Sequence, residues 1–251
     1  MTEPHRVGSD RAVEVAVAVV IDARGRVLIA DRPPGKHLGD AWEFPGGKIE
    51  PGETPREGLA RELAEEIGIT IEHPRPLMRL RHAYPAGEVL LNVWLVRRYR
   101  GEPRGLDGQR LRWCDREALT SAPLLPADRP ILAALRLPER LRRSATRWYA
   151  VSAFEVFSSC RRTIAQADSA ARAAAEPGVG AGQLEGVLCE DVCEAETAAA
   201  AGAHFLAMKT ALAPAELGAL CEHVSVPVFA RGVSPQRAWA QGASGINAIA
   251  G

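Results

Sequence analysis

Residues 46–69 read GGKIEPGETPREGLARELAEEIGI, and the rest of the chain is read outward from them. Thr54-Pro55-Arg56-Glu57 is a helix start. Thr54 suits the N-cap, Pro55 the first helical position, and Glu57 the acid of a capping box. Gly68 suits the left-handed residue that ends a helix. The spacing predicts a helix over 55–67, about three and a half turns long. Glu62, Glu65 and Glu66 are related by i, i+3 and i+4 and share one face, beside an apolar stripe of Leu59, Leu63 and Ile67. Glu53 lies just before the helix, in a loop that also holds Gly46, Gly47 and Gly52. Three carboxylates on one face repel each other, and no lysine lies among them. A hard divalent cation relieves this: Mg²⁺, or Mn²⁺ in its place, takes oxygen ligands and joins carboxylates to substrate phosphates. Arg61, one turn before Glu65, is placed to steady Glu65 or Glu53. A solvated acidic face would explain a bare ExxEE, but not the longer pattern G-x5-E-x7-R-E-L-x-E-E-x-G-I that runs from Gly47 to Ile69.

The 251 residues suffice for one large or two modest domains. With 47% hydrophobic and 25% charged residues the balance is that of a soluble globular chain. Lys+Arg and Asp+Glu both number 31, which gives no electrostatic case for a polynucleotide or a membrane surface as partner. Cysteines 114, 160, 189, 193 and 221 are odd in number and form no CxxC, as expected of reduced cytoplasmic thiols. The first residues lack a signal-peptide pattern, and no apolar run approaches the roughly 18 residues of a membrane span.

Residues 12–21 (AVEVAVAVVI) are a buried strand, and 26–30 return after the turn at 22–25. Short strands are expected at 42–45 and 111–114, a strand pair at 79–84 and 88–98, and a closing helix at 128–137. The charged segment 138–147 (PERLRRSATR) is read as a linker between domains at 12–137 and 148–251. Beyond it a strand at 148–154 and a long alanine-rich helix at 155–175 are expected. Strands then alternate with helices: 185–190, 203–208, 226–230 and 244–249, with helices at 193–201, 214–223 and 234–241 between them. Such alternation means parallel βα units, too few to close an eight-stranded barrel.

The pattern from Gly47 to Ile69 matches the Nudix box at every fixed position, and residues 12–137 resemble the MutT branch of the Nudix hydrolases. WEFPGGKIEPGETP around the box, Arg32 after VLIAD, His37, and GEPRGLDGQ at 101–109 carry the resemblance further. It implies a Nudix α/β/α sandwich with a mixed sheet, in an α/β chain. It also implies Mg²⁺-dependent hydrolysis of a nucleoside triphosphate, 8-oxo-dGTP to the monophosphate and pyrophosphate, which cleanses the nucleotide pool and so protects DNA. In this chain Glu62, Glu65, Glu66 and the Gly46 carbonyl would hold metal. Glu53, held by Arg61, would orient or deprotonate the attacking water. Asp107 falls where the family places a further carboxylate, usually Glu, so its reach is one methylene shorter. Glu65 and Asp107 are also counted with Glu53 and Arg61 in the catalytic set.

Arg32, His37, Phe44 and Asp128 are the expected substrate contacts. The family reads oxidised guanine with Asn where this chain has Asp128. An ionised Asp only accepts hydrogen bonds and would repel O6 unless protonated; Asp128 also stands where it can cap the helix that follows. Residues 226–251 (VPVFARGVSPQRAWAQGASGINAIAG), with EAETAAAAGAHFLAM before them, resemble thiamine-phosphate synthase, which implies a partial, incomplete βα TIM-barrel-like domain without the synthase activity. An exposed edge of such a sheet suggests a homodimer. A Nudix hydrolase for another nucleoside diphosphate derivative or a thiamine-related pyrophosphate, and a nucleotide-binding assembly protein, are the competing readings.

Overall fold

The structure, a computed structural model, describes residues 12–32, 41–137, 140–144, 147–150, 165–166 and 185–247. Strand β1 (Val13–Val20, VEVAVAVV) is its axis. Side chains alternate across a strand. Ala16, Ala18 and Val20 therefore enter one apolar cluster and Val17 and Val19 the opposite one. β1 pairs antiparallel with β4 (Gly46–Lys48) and parallel with β7 (Gly87–Val96), and β6 (Arg75–Tyr84) pairs antiparallel with β7. The result is a mixed four-stranded sheet in the order β4-β1-β7-β6. β2 (Val27–Asp31) lies between β3 (Trp42–Glu43) and β9 (Leu111–Cys114), and β5 (Thr70–Glu72) pairs with β8 (Arg98–Arg100).

Helix α1 (Pro55–Ile67) covers one face of the mixed sheet. Its start is the expected capping box: the Thr54 hydroxyl accepts the Glu57 N–H at 3.3 Å, and the Glu57 carboxylate accepts the Thr54 N–H at 2.8 Å. Gly68 ends it at φ 70°. Leu59, Leu63 and Ile67 are fully buried against Ala16, Ala18 and Val20, each contributing about 1.5–3 kcal/mol. On the other face Leu119 of α2 (Arg116–Ser121) and Ile131 and Ala134 of α3 (Arg129–Ala134) pack on Val17 and Val19. Helices lie on both sides of the sheet, as expected of an α/β/α sandwich. The expected helix at 128–137 is shorter. A 3₁₀ turn, Pro126–Asp128, precedes α3, and beyond Ala134 the chain tightens, with Arg136 N–H donating to Ala133 C=O and Leu137 N–H to Ala134 C=O.

In the second half, β13 (Glu185–Cys189), β14 (Phe205–Met208), β15 (Val228–Ala230) and β16 (Gly245–Asn247) are parallel, with α4 (Val192–Ala200), α5 (Pro214–His223) and α6 (Pro235–Ala240) between them. Two expectations are corrected. Residues 140–144, read as linker, form β10 (Arg140–Ser144), parallel to β16 and antiparallel to β11 (Arg147–Ala150). Residues 165–166, read inside an alanine-rich helix, form β12 (Ala165–Gln166) beside β13. In both places the open edge of a sheet supplies hydrogen-bond partners that local propensity does not foresee. The rest of 155–175, and 151–154 of the expected strand, lie outside the described residues. The sheet runs β11-β10-β16-β15-β14-β13-β12. Among the described residues no helix is long and apolar enough to cross a membrane.

The two halves meet along β6, an end strand of the mixed sheet. Arg79 and Arg81 both reach Glu222 of α5, at 3.0 and 3.7 Å. Arg79 N–H donates to Gly242 C=O at 3.1 Å, and Ser225 Oγ to Arg81 C=O at 3.4 Å. The Arg75 guanidinium stands 4.9 Å over the Trp239 ring. Replacing Glu222 by Ala removes both ion pairs, and urea unfolding should show a loss of about 1 kcal/mol. With Arg79 and Arg81 already changed to Gln, the same replacement should cost nothing further. An equal loss in both backgrounds would mean that the pairs do not join the halves.

Candidate active site

Arg61 is the hub of the acidic helix face. Its Nε and Nη2 donate to the two oxygens of Glu53 at 2.7 and 3.0 Å, and Nη2 also reaches the Lys48 carbonyl at 2.9 Å. Nη1 donates to Glu62 at 2.9 Å and to Glu65 at 3.1 Å. Either Glu53 or Glu65 was expected as its partner; it holds both, and Glu62 as well. The Arg61 bonds, helped by the Glu50 N–H, hold the Glu53 carboxyl down at about 2. Glu66 points elsewhere. Its carboxylate accepts the Gly46 N–H at 3.3 Å, and no arginine bonds it among the described residues. Burial, with the charges of Glu62, Glu43 and Asp107 adding to it, pushes Glu66 up to about 7 against the pull of the Gly46 N–H.

Glu66 and Asp107 line one pocket with Asp31, Glu43, Phe44, Gly46 and Gln109. The glycines bring the helix face to its rim. A Cβ on Gly46, at φ 144°, would lie 2.1 Å from the Ala16 carbonyl oxygen, and one on Gly47 would lie 2.3 Å from Glu62 Oε2. Glu62 thus rests in a cradle that only glycine leaves open. Among the described residues no three His, Cys, Asp or Glu side chains stand together closely enough to enclose a metal ion. Arg61 accounts for this, since its guanidinium takes the central position among Glu53, Glu62 and Glu65. The donor set is nonetheless all oxygen and over-supplied with negative charge, which fits a hard divalent cation.

The expected substrate contacts gather around Glu43. Arg32 pairs with Glu43, and its buried Nε has no hydrogen-bond partner among the described residues. Phe44 is 3% exposed; it packs into the core beneath the sheet and also forms pocket wall. Asp128, 4% exposed, makes no capping bond to α3, and one of its oxygens accepts the Phe44 N–H at 3.2 Å. Burial first, then the charge of Glu43, push Asp128 up to about 8, against the Phe44 N–H and Arg32. The shift favours the protonated acid, which can donate as well as accept. His37 lies outside the described residues.

Sequence reasoning missed Asp31, Glu43 and Gln109. Asp31 closes an otherwise apolar strand (VLIAD), the one available signal. Burial raises its pKa, but bonds from the Arg110 side chain and N–H outweigh this and hold it below the ordinary carboxylate range.

The raised pKa of Asp128 has a signed consequence for stability. The folded chain keeps a proton that the unfolded chain loses near 4, so this contribution is full below about 4 and is lost as pH rises to about 8. Asp128→Asn keeps the acceptor for Phe44 N–H and has no proton to lose. Its stability relative to wild type should climb by roughly 2–5 kcal/mol between pH 4 and pH 8 and then level off. Urea midpoints across that range measure it; a pH-independent difference would show that Asp128 is ionised in the fold.

Residues 16–134 match the family model described as NUDIX domain. The chain is 36% identical over 126 residues to 8-oxo-dGTP diphosphatase of Escherichia coli K12, covering 50% of this chain and 98% of that protein. It is equally 36% identical, over 124 residues, to CTP pyrophosphohydrolase of the same organism, covering 49% of this chain and 91% of the relative. Among solved structures, the MutT NUDIX hydrolase from Burkholderia pseudomallei is 28% identical, with a TM-score of 0.44, over 49% of this chain and 96% of that one. Through residues 16–134 the chain therefore belongs to the Nudix family in its MutT branch, as a hydrolase of pyrophosphate bonds.

Proposed function

We propose that the chain hydrolyses a nucleoside triphosphate to monophosphate and pyrophosphate with Mg²⁺ or Mn²⁺, and that 8-oxo-dGTP is its substrate. The observation that carries the base reading is Asp128, buried beside Arg32, Glu43 and Phe44 and accepting the Phe44 N–H, where burial pushes its pKa up to about 8. A carboxylic acid both donates and accepts, so it can address O6 and N7–H of 8-oxoguanine as an Asn amide would. The relative that acts on 8-oxo-dGTP supports the reading. The relative that acts on CTP keeps a second one open, a pyrimidine triphosphate.

In this proposal Glu62, Glu65, Glu66 and the Gly46 carbonyl hold the cation, with Asp107 at the rim. When bound, Mg²⁺ would screen the phosphate oxygens and acidify water. Both oxygens of Glu53 are taken by Arg61 and the Glu50 N–H, and its pKa of about 2 is far from the operating pH. Its role is then to orient, through Arg61, the acids that meet water. The Arg32 Nε, which has no hydrogen-bond partner among the described residues, is left to the nucleotide. The second half is read as a truncated βα barrel like that of thiamine-phosphate synthase, a reading its parallel strand–helix order favours, and no activity is assigned to it.

Pyrophosphate release should be measured from 8-oxo-dGTP, dGTP, CTP, ADP-ribose and thiamine pyrophosphate. The expected kcat/KM is at least about tenfold higher for 8-oxo-dGTP than for any other, with a loss on the order of 100-fold or more in Glu62→Gln. Preference for CTP would replace the purine reading, and turnover of thiamine pyrophosphate alone would overturn both. Gly47→Ala puts a methyl where the Glu62 carboxylate rests. That carboxylate is the end of a flexible side chain, so Tm should hold while kcat falls on the order of tenfold. An unchanged kcat would show that the cradle is not used.

A further inference from the structure

The loop 104–109 is docked onto the C-terminal end of α1. Carbonyls in the last turn of a helix lack partners within it. Here Arg104 N–H donates to Ile67 C=O at 3.0 Å, and Leu106 N–H to Glu66 C=O at 2.9 Å. The Gln109 side chain completes the joint. Its amide Nε2 donates to Glu66 C=O at 2.9 Å, and its Oε1 accepts the Asp107 N–H at 2.9 Å. One orientation of the amide satisfies both bonds, so a single side chain ties the backbone of Glu66 to that of Asp107. The loop has little slack: a Cβ on Gly105 would lie 1.9 Å from the Gln109 carbonyl oxygen, and Gly108 turns at φ 80°. At its far end Arg110 is gripped by Asp31 through both its N–H and its side chain. Glu66, Asp107 and Gln109 all face the same pocket.

We propose that Gln109 is a positioning residue that sets the reach of the short Asp107 carboxylate towards Glu66 and the cation between them. This rests on the proposed cation site, and Gln109 acts only through Asp107. Gln109→Met keeps the length of the side chain and removes both bonds. Mn²⁺ binding to the full-length protein, followed by electron paramagnetic resonance without nucleotide, is the primary readout. Thermal melting checks the fold, with Gln109→Asn, whose shorter amide cannot span both partners, as the second variant.

We expect Gln109→Met to weaken Mn²⁺ binding about tenfold, and to weaken it no further in an Asp107→Asn background. Asp107→Glu, with its longer side chain, should restore binding to Gln109→Met. Equal losses with and without Asp107, or no loss in either Gln109 variant, would overturn the proposal, as would a wild type that binds no Mn²⁺. If the coupling is found but no triphosphate is hydrolysed, the substrate reading fails and the role of Gln109 stands. If 8-oxo-dGTP is hydrolysed without the coupling, the role of Gln109 alone fails.

Discussion

A single guanidinium holds the acidic helix face together. Arg61 bonds Glu53, Glu62, Glu65 and the Lys48 carbonyl from one planar group, which only arginine's fork of donors can do. Without it, acids one turn apart on α1 would repel each other in a site half closed to water. Its reach also divides the acids by chemistry. Glu53, inside that reach, is held down at about 2, while Glu66, one turn along the helix from Glu62 and bonded among the described residues by the Gly46 N–H alone, is pushed up to about 7 by burial. Arg61 lowers Glu53, and burial raises Glu66.

That geometry depends in turn on small residues. Ala16 and Ala18 let α1 lie close on β1, and Gly46 and Gly47 let the β4 turn pass under the helix without striking Ala16 or Glu62. Leu59, Leu63 and Ile67 drive the helix inward, and the glycines decide how near its acids come to the backbone. Packing and site are thus one constraint: the apolar stripe supplies the force, and the missing side chains supply the room.

Behind Phe44, which lines the pocket, burial governs the chemistry. Asp128 makes no capping bond to α3 and accepts the Phe44 N–H instead, where desolvation raises its pKa. Among the described residues the second half lends no side chain to this pocket. It adds helices and an ion-paired contact along β6, so an end strand of the Nudix sheet is covered rather than left open.

Helix α1 was legible because its information is local: cap, proline, capping acid, apolar stripe and terminal glycine all lie within a few residues of one another. The strand–helix alternation of the second half was legible for the same reason. The strands at 140–144 and 165–166 were not, since each exists only because a distant strand offers its edge. Asp31, Glu43 and Gln109 were missed because strand pairing and the docking of a loop on α1 bring them to the pocket, and only the acid that closes VLIAD gives a local sign of it. The acidic helix, its ends and the order of its acids can be read from residue order alone. Which acids Arg61 bonds, which acids burial raises, and how Asp107 is held come from the folded chain, because charge and reach depend on burial and on partners far apart in sequence.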